Sequence, residues 1–355
     1  MNPTDFVHLH VHSHFSLGEA VAGAERLARS AAAQGHKALA LTDSQSLGGM
    51  VRFVRACRAQ SLRPIIGCEF AIRPAKTDVR PPAPSEGAES IPRVPGSEWG
   101  RMIFLAQSEV GYRQLVRMVA QAHANGLQEG EGQGPAAGGG ERIPGRGTAA
   151  YPHLRLKEVG ELAKDLMVLT GGREGELWRR VEHGDAAGAQ AWLRRLVELL
   201  GEKNLAVELA LREANESDRA VCRMLVDLAR SSGLVYVAAN DVRYVAPGEQ
   251  LVLDFLRGGE IEGRMSVGQL LARHPEYGNE LTSPEEMAHR FEEFPEALEA
   301  TREVAERCRF ELPTSKRRFP MHNFERGLDA ESFLWDAVFQ RATQRYGEMA
   351  SGIKD

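Results

Sequence analysis

The sequence predicts an α/β protein of seven strands alternating with helices, a closed or nearly closed barrel, with a helical extension on its C-terminal side. Three observations carry this. Short, nearly continuous apolar runs such as Ala38-Leu39-Ala40-Leu41 and Leu205-Ala206-Val207 read as strands covered on both faces, which is the habit of parallel sheets. Amphipathic stretches of helical period alternate with those runs as far as about residue 246. Beyond that point only helical signals remain. An open doubly wound sheet is the competing arrangement.

The first strand is Phe6-Val7-His8-Leu9-His10-Val11-His12-Ser13-His14. Alternation puts Val7, Leu9 and Val11 on one face and the imidazoles of His8, His10, His12 and His14 on the other. Each ring nitrogen needs a partner, so an imidazole face suits metal better than packing; a solvated edge strand is the plainer alternative. A helix over 22–34 follows, carrying Leu27, Ala28, Ala31 and Ala32 at helical spacing and stopping at Gly35. Strands are then expected at 38–42, 64–70, 102–105, 166–170, 205–209 and 234–238, and helices at 47–60, 110–124, 186–200 and 218–230.

Two stretches, 73–100 and 126–152, rich in Gly and Pro, break the rhythm and read as mobile surface insertions. The second lacks the Gly-Lys-Ser/Thr ending of a phosphate-binding loop. The barrel is accordingly assigned to 1–275 and a helical segment to 280–355. Within the latter, Ser283-Pro284-Glu285-Glu286 is a capped helix start, Pro295 opens a helix running to about Arg307, and a last helix spans about 330–345.

At 355 residues and 43% hydrophobic content the chain can bury a sizeable core. A net charge of −5 disfavours non-specific coating of nucleic acid. Four scattered cysteines without a CxxC pair argue against a disulfide framework and a zinc ribbon. With neither an export signal nor an apolar run of spanning length, a cytoplasmic location without membrane contact is expected.

In a barrel of this kind functional groups collect where strands end. There the sequence delivers His10 and His12, then Glu19 in the following loop, Asp43, Glu69 and Asn240-Asp241. Each acid alone could cap a helix or close a turn; together with imidazoles they form the ligand set of a zinc or manganese hydrolytic site. His123, His153, His274 and His322 read as ordinary surface residues.

These segments resemble the polymerase and histidinol phosphatase (PHP) domain that opens the bacterial DNA polymerase III α subunit. The resemblance runs through His8-Leu9-His10-Val11-His12-Ser13, Ala40-Leu41-Thr42-Asp43, Pro64 to Phe70, Leu169-Thr170-Gly171-Gly172 and Ala238-Ala239-Asn240-Asp241. It continues through Ser283 to Met287 and Phe294 to Cys308, which look like the α-subunit helices beyond the barrel. The family implies a distorted (β/α)₇ barrel with a site for up to three metal ions and, in some members, 3′→5′ exonuclease activity. Of its ligand positions this chain keeps His10, His12, Glu19, Glu69 and Asp241. Four are lost: Ser44 stands for a histidine, Arg101 for a histidine, Gly172 for a cysteine and Arg243 for a histidine. The retained set suffices for one Zn or Mn ion, and the full three-metal cluster is not expected. Arg101 and Arg243 are expected to pair with Glu69 and Asp241 where cations would otherwise sit.

The resemblance also implies partners: the palm and fingers portion of an α subunit, a proofreading subunit, and DNA only through the assembled polymerase. No Asp-x-Asp pair, the mark of the palm, occurs in the chain, so it should not synthesise DNA by itself. The expected role is a scaffold with lost or weakened exonuclease activity. A free-standing PHP phosphoesterase is the alternative, and the error-prone relative of the α subunit shares the same degenerate barrel.

Overall fold

The computed structural model describes residues 5–73, 99–131, 151–212, 215–259, 278–313 and 329–347. The chain divides into two compact units, 1–312 and 313–355. Residues 278–312 therefore pack with the barrel, although the sequence had suggested a change of domain near 280.

The first unit contains strands β1 (Ala38–Leu41), β2 (Arg63–Arg73), β3 (Gly100–Ala106), β4 (Leu154–Arg155), β5 (Leu166–Leu169), β6 (Leu205–Ala210) and β7 (Val235–Ala239). Their order is β1-β2-β3-β5-β6-β7, with the short β4 beside β2. The helices are α1 (Ala24–Ala33), α2 (Met50–Ala59), α3 (Glu109–Glu131), α4 (Leu156–Leu162), α5 (Glu176–Glu182), α6 (Ala186–Leu200), α7 (Glu216–Ser231), α8 (Gln250–Gly259), α9 (Pro284–Arg290) and α10 (Pro295–Arg307). Parallel pairing holds for β1–β2, β5–β6 and β6–β7.

The expectation of parallel strands throughout fails at β3, which runs antiparallel to both β2 and β5. A parallel neighbour needs a crossover, usually a helix, and the sequence between 73 and 100 carries no helical period that could provide one. Because β3 is reversed, its first residues, not its last, lie at the mouth of the barrel. Helix α3 reaches Glu131, so 126–131 are helical where an insertion was expected. Positions 74–98 and 132–150, expected to be mobile, lie outside the described residues. The sequence reading also missed β4, α4 and α5, each of seven residues or fewer.

The N-terminal segment is not a continuous strand, yet it joins the two edges of the curled sheet. Ala40 donates its N–H to the His8 carbonyl (3.0 Å) and Thr42 to that of Val11 (2.8 Å), while Val242 donates to His10 (3.0 Å) and His12 to Val242 (2.7 Å). Strict alternation breaks between Leu9 and His10. Val7 and Leu9 belong to the inner cluster with Ala40, Ile65, Ile103, Leu105, Leu169, Ala206 and Val237, whereas Val11 joins the outer layer beneath the helices. That slip sends His8 outward while His10 and His12 face the lumen.

Helix α10 closes the opposite end. Ala300, Val304, Ala305 and Cys308 complete the inner cluster, and Val7 donates its N–H to Thr301 Oγ1 (3.1 Å). The helix begins with Pro at its first turn, where a missing N–H costs nothing. It is thus the floor of the barrel core and no appendage. His8 and His36 both turn an Nε2 to the Thr282 carbonyl (2.8 and 3.1 Å) just before α9.

In the second unit, α11 (Ala330–Tyr346) is capped by Asp329, which accepts from the Ser332 N–H at 2.8 Å. Among the described residues no helix is long and apolar enough to cross a membrane, and all four cysteines are free and buried.

Candidate metal centre

Side-chain parity along the strands builds the site. Ala206 faces the lumen, so Glu208 two residues on does too; Ile103 places Arg101 there, and Ile65 places Glu69. His10 and His12 come from the N-terminal segment and Asp241 from the residue pair after β7. Asp241 has φ +44°, a left-handed conformation that Asp tolerates better than most residues and that turns its carboxylate to the mouth.

Four atoms converge. His10 Nε2 lies 3.0 Å from His12 Nε2, 3.3 Å from Glu69 Oε2 and 3.4 Å from Asp241 Oδ1. His12 Nε2 is 3.7 Å from Glu69 Oε2 and 3.4 Å from Asp241 Oδ1. Ligands about 2.0–2.1 Å from a tetrahedral ion stand about 3.3–3.4 Å apart, so the spacing fits one small divalent ion. Glu69 Oε2 and Asp241 Oδ1 are buried without a hydrogen-bond donor. His10, His12 and Asp241 therefore fit a single metal, with Glu69 Oε2 3.3 and 3.7 Å from the two imidazoles.

The remaining oxygens are taken. Arg101 donates to Glu69 Oε1 and Glu19 Oε1 (both 3.3 Å) and to the Tyr151 hydroxyl (2.9 Å), with its guanidinium 5.1 Å from the centre of the Tyr151 ring. Arg243 donates to Asp241 Oδ2 (3.0 Å) and Glu19 Oε2 (3.5 Å). The pairing of Arg101 with Glu69 and of Arg243 with Asp241, expected from sequence, is present. Ser44 Oγ lies 2.6 Å from Glu19 Oε2 and 2.8 Å from Glu69 Oε1; its one proton serves both carboxylates. Glu19 is held by Arg101, Arg243, Ser44 and Tyr151, although with His12 and Glu69 it still falls within ligand distance of a common point.

Burial opposes every charge here, and the partners decide the outcome. Burial alone would raise Glu19, but the two guanidiniums hold it at about 2. Glu69 is likewise driven well below the usual carboxylate range against its burial, by His12 and Arg101. Burial depresses His12 to about 4, whereas Glu208 and Asp241 overcome burial and raise His10 well above an ordinary imidazole.

Two of the four N-terminal imidazoles stay away from the centre: His8 is bonded to Thr282 on the outer side and His14 is exposed against Phe15. Asp43 is buried but separate, accepting from Ser13 N (2.6 Å), Ser13 Oγ (2.8 Å) and Ser16 Oγ (2.8 Å); burial still raises it to about 6. Gly172 has φ +51°, and a Cβ there would stand 3.1 Å from Glu208 Oε1. Sequence reasoning missed Glu208, whose signal was a lone acid inside the apolar run of β6, and Tyr151, which had none. His153 is no surface bystander, being fully buried with Nδ1 3.0 Å from the Tyr151 carbonyl, whereas His123 is exposed as expected, its Nε2 meeting the Gln45 carbonyl at 3.1 Å. His274 and His322 lie outside the described residues.

Fold and site together define a PHP domain: the model of that family matches residues 8–211, and the chain belongs to it. Over nearly its full length the chain is similar to bacterial DNA polymerases. It is 26% identical to DNA polymerase III subunit alpha of Treponema pallidum (98% of this chain, 27% of that protein). It is 31% identical to the error-prone DNA polymerase of Symbiobacterium thermophilum (98% and 29%) and 27% identical to DNA polymerase III subunit alpha of Pseudomonas aeruginosa (96% and 26%). The chain thus spans little more than a quarter of these relatives. Among solved structures, an amidohydrolase from Chromobacterium violaceum aligns with 68% of this chain and 88% of its own at 16% identity and TM-score 0.38.

Proposed function

We propose that this chain is the N-terminal PHP portion of a DNA polymerase III α-type enzyme, a cytoplasmic replication protein. The barrel serves as a scaffold, with its metal-dependent 3′→5′ exonuclease lost or weakened and no polymerase activity of its own. The observation that carries this reading is the insertion of Arg101 and Arg243 among the site's carboxylates.

Charge sets how many ions remain. Among the described residues, four carboxylates (Glu19, Glu69, Glu208, Asp241) and two guanidiniums (Arg101, Arg243) touch the cluster, a formal balance of −2 when both imidazoles are neutral, as metal ligands must be. One divalent ion cancels that; a three-ion cluster would leave a large buried positive charge. His10, His12, Glu69 and Asp241 would hold one Zn or Mn ion, which supplies Lewis-acid polarisation when bound. The guanidiniums are fixed charges that cannot exchange a ligand or activate water, so they give the site shape without hydrolytic power.

The same reading has the chain dock onto a palm and fingers portion, with a proofreading subunit and DNA reached through that assembly; its coverage of little more than a quarter of the polymerase relatives supports the first of these. The test is metal analysis of the purified chain with a 3′-end-labelled DNA assay. At most one equivalent of metal and little or no metal-stimulated hydrolysis are expected. Two or three tightly bound equivalents, or rapid release of 3′ nucleotides, would support a free-standing phosphoesterase and overturn the scaffold.

A further inference from the structure

The two imidazoles at the centre are each held from behind by a carboxylate, one directly and one through a hydroxyl. Glu208, in the middle of β6, accepts from His10 Nδ1 at 2.7 Å through Oε1 and from the Gly171 N–H at 3.2 Å through Oε2. Its backbone N–H is bound by Thr170 Oγ1 (3.0 Å), so the loop after β5 cradles it at both ends. The carboxylate is fully buried. On the other side Ser16 Oγ donates to Asp43 Oδ1 (2.8 Å) and accepts from the Ser44 N–H (3.0 Å), and His12 Nδ1 stands 3.0 Å from the same oxygen.

We propose that Glu208 and the Ser16–Asp43 pair are positioning residues that place the proton of both imidazoles on Nδ1 and so aim two Nε2 lone pairs at the metal position. An ionised carboxylate offers no proton, so the proton between Glu208 and His10 sits on Nδ1. The Ser16 hydroxyl spends its single proton on Asp43, which leaves it an acceptor toward His12 Nδ1. In the singly protonated rings both Nε2 lone pairs then face Glu69 Oε2 and Asp241 Oδ1, two buried oxygens without a hydrogen-bond donor. Such a set recruits a cation, and a carboxylate behind an imidazole both orients the ring and raises its basicity.

The inference rests on the one-ion reading, but its test separates the two. In Glu208→Gln the Gly171 N–H still requires an oxygen, so the amide NH₂ must face His10 Nδ1. This forces the opposite tautomer and puts an N–H into the metal position. Long-range ¹H–¹⁵N spectra of the ¹⁵N-histidine-labelled chain, recorded at alkaline pH where each ring carries one proton, report that inversion without any metal. A Zn²⁺ titration against a chelator should then show a loss of about 10–100-fold in affinity. Ser16→Ala, which leaves the bonds from Ser13 to Asp43 intact, should remove the Nδ1 preference of His12 alone. An unchanged His10 tautomer together with wild-type Zn²⁺ affinity in Glu208→Gln overturns the role of Glu208. If the wild-type chain binds no Zn²⁺ while the variant still inverts its tautomer, the positioning stands and only the one-ion reading falls.

Discussion

Replacing Arg101 with methionine tests the substitution of fixed charge for metal. The side chain sits 8% exposed between Glu69, fully buried, and Glu19, 21% exposed. Its removal keeps much of the volume but deletes both ion pairs and the bonded, stacked Tyr151 contact. The local balance then worsens from −2 to −3. Breaking a buried pair by removing one partner costs about 3–5 kcal/mol, because the orphaned carboxylates stay out of water. For a unit of this size that corresponds to a fall in melting temperature of roughly 6–15 °C. Urea unfolding followed by circular dichroism measures it, with and without Mn²⁺. Added Mn²⁺ should stabilise the variant more than the parent, since the ion would meet an uncompensated charge. A variant within about 1 kcal/mol of the parent, indifferent to Mn²⁺, would show that Arg101 is a bystander and refute the charge argument.

Leu9→Ala should open a cavity in the fully buried inner cluster and cost about 3–5 kcal/mol in the same urea assay. Burial holds both His8 and His36 below an ordinary imidazole, with His8 further lowered by His36. Folding therefore needs both neutral: their contribution is intact above the unfolded value near pH 6.5 and fades as pH falls toward their folded values. The expected slope below about pH 6 is up to 1.4 kcal/mol per pH unit for each ring, and His8→Gln should flatten the stability–pH curve measured by thermal unfolding. Gly171→Ala would set a Cβ 1.9 Å from the Arg101 carbonyl at φ +86°, so soluble yield and melting temperature should collapse, whereas Gly201→Ala, with open space around it, should show only the mild strain of its φ of +77°.

The ranks of apolar residues and helical periods were legible because burial on both faces and amphipathicity are written locally: β1, β6, α1, α6 and α7 lie where period and punctuation put them. His10, His12, Glu69 and Asp241 were legible as candidates because acids and imidazoles at strand ends violate the local apolar pattern. The reversal of β3 was not, since pairing direction depends on which edges the connection allows to meet. Nor was the role of α10, whose apolar stripe says only that it packs, not that it packs into a lumen.

By itself, then, the sequence determined the α/β alternation and offered His10, His12, Glu69 and Asp241 among its candidates, and the resemblance marked two arginines where histidines are usual. Tertiary structure decided which atoms meet. A slip of alternation after Leu9 chooses His10 and His12 over His8, and the reversed β3 carries Arg101 to the mouth. Parity along β6 brings Glu208, silent in the sequence, behind His10. These depend on distances of a few ångströms between segments remote in the chain, and local propensity holds no information about them; only closure of the sheet around a filled lumen does.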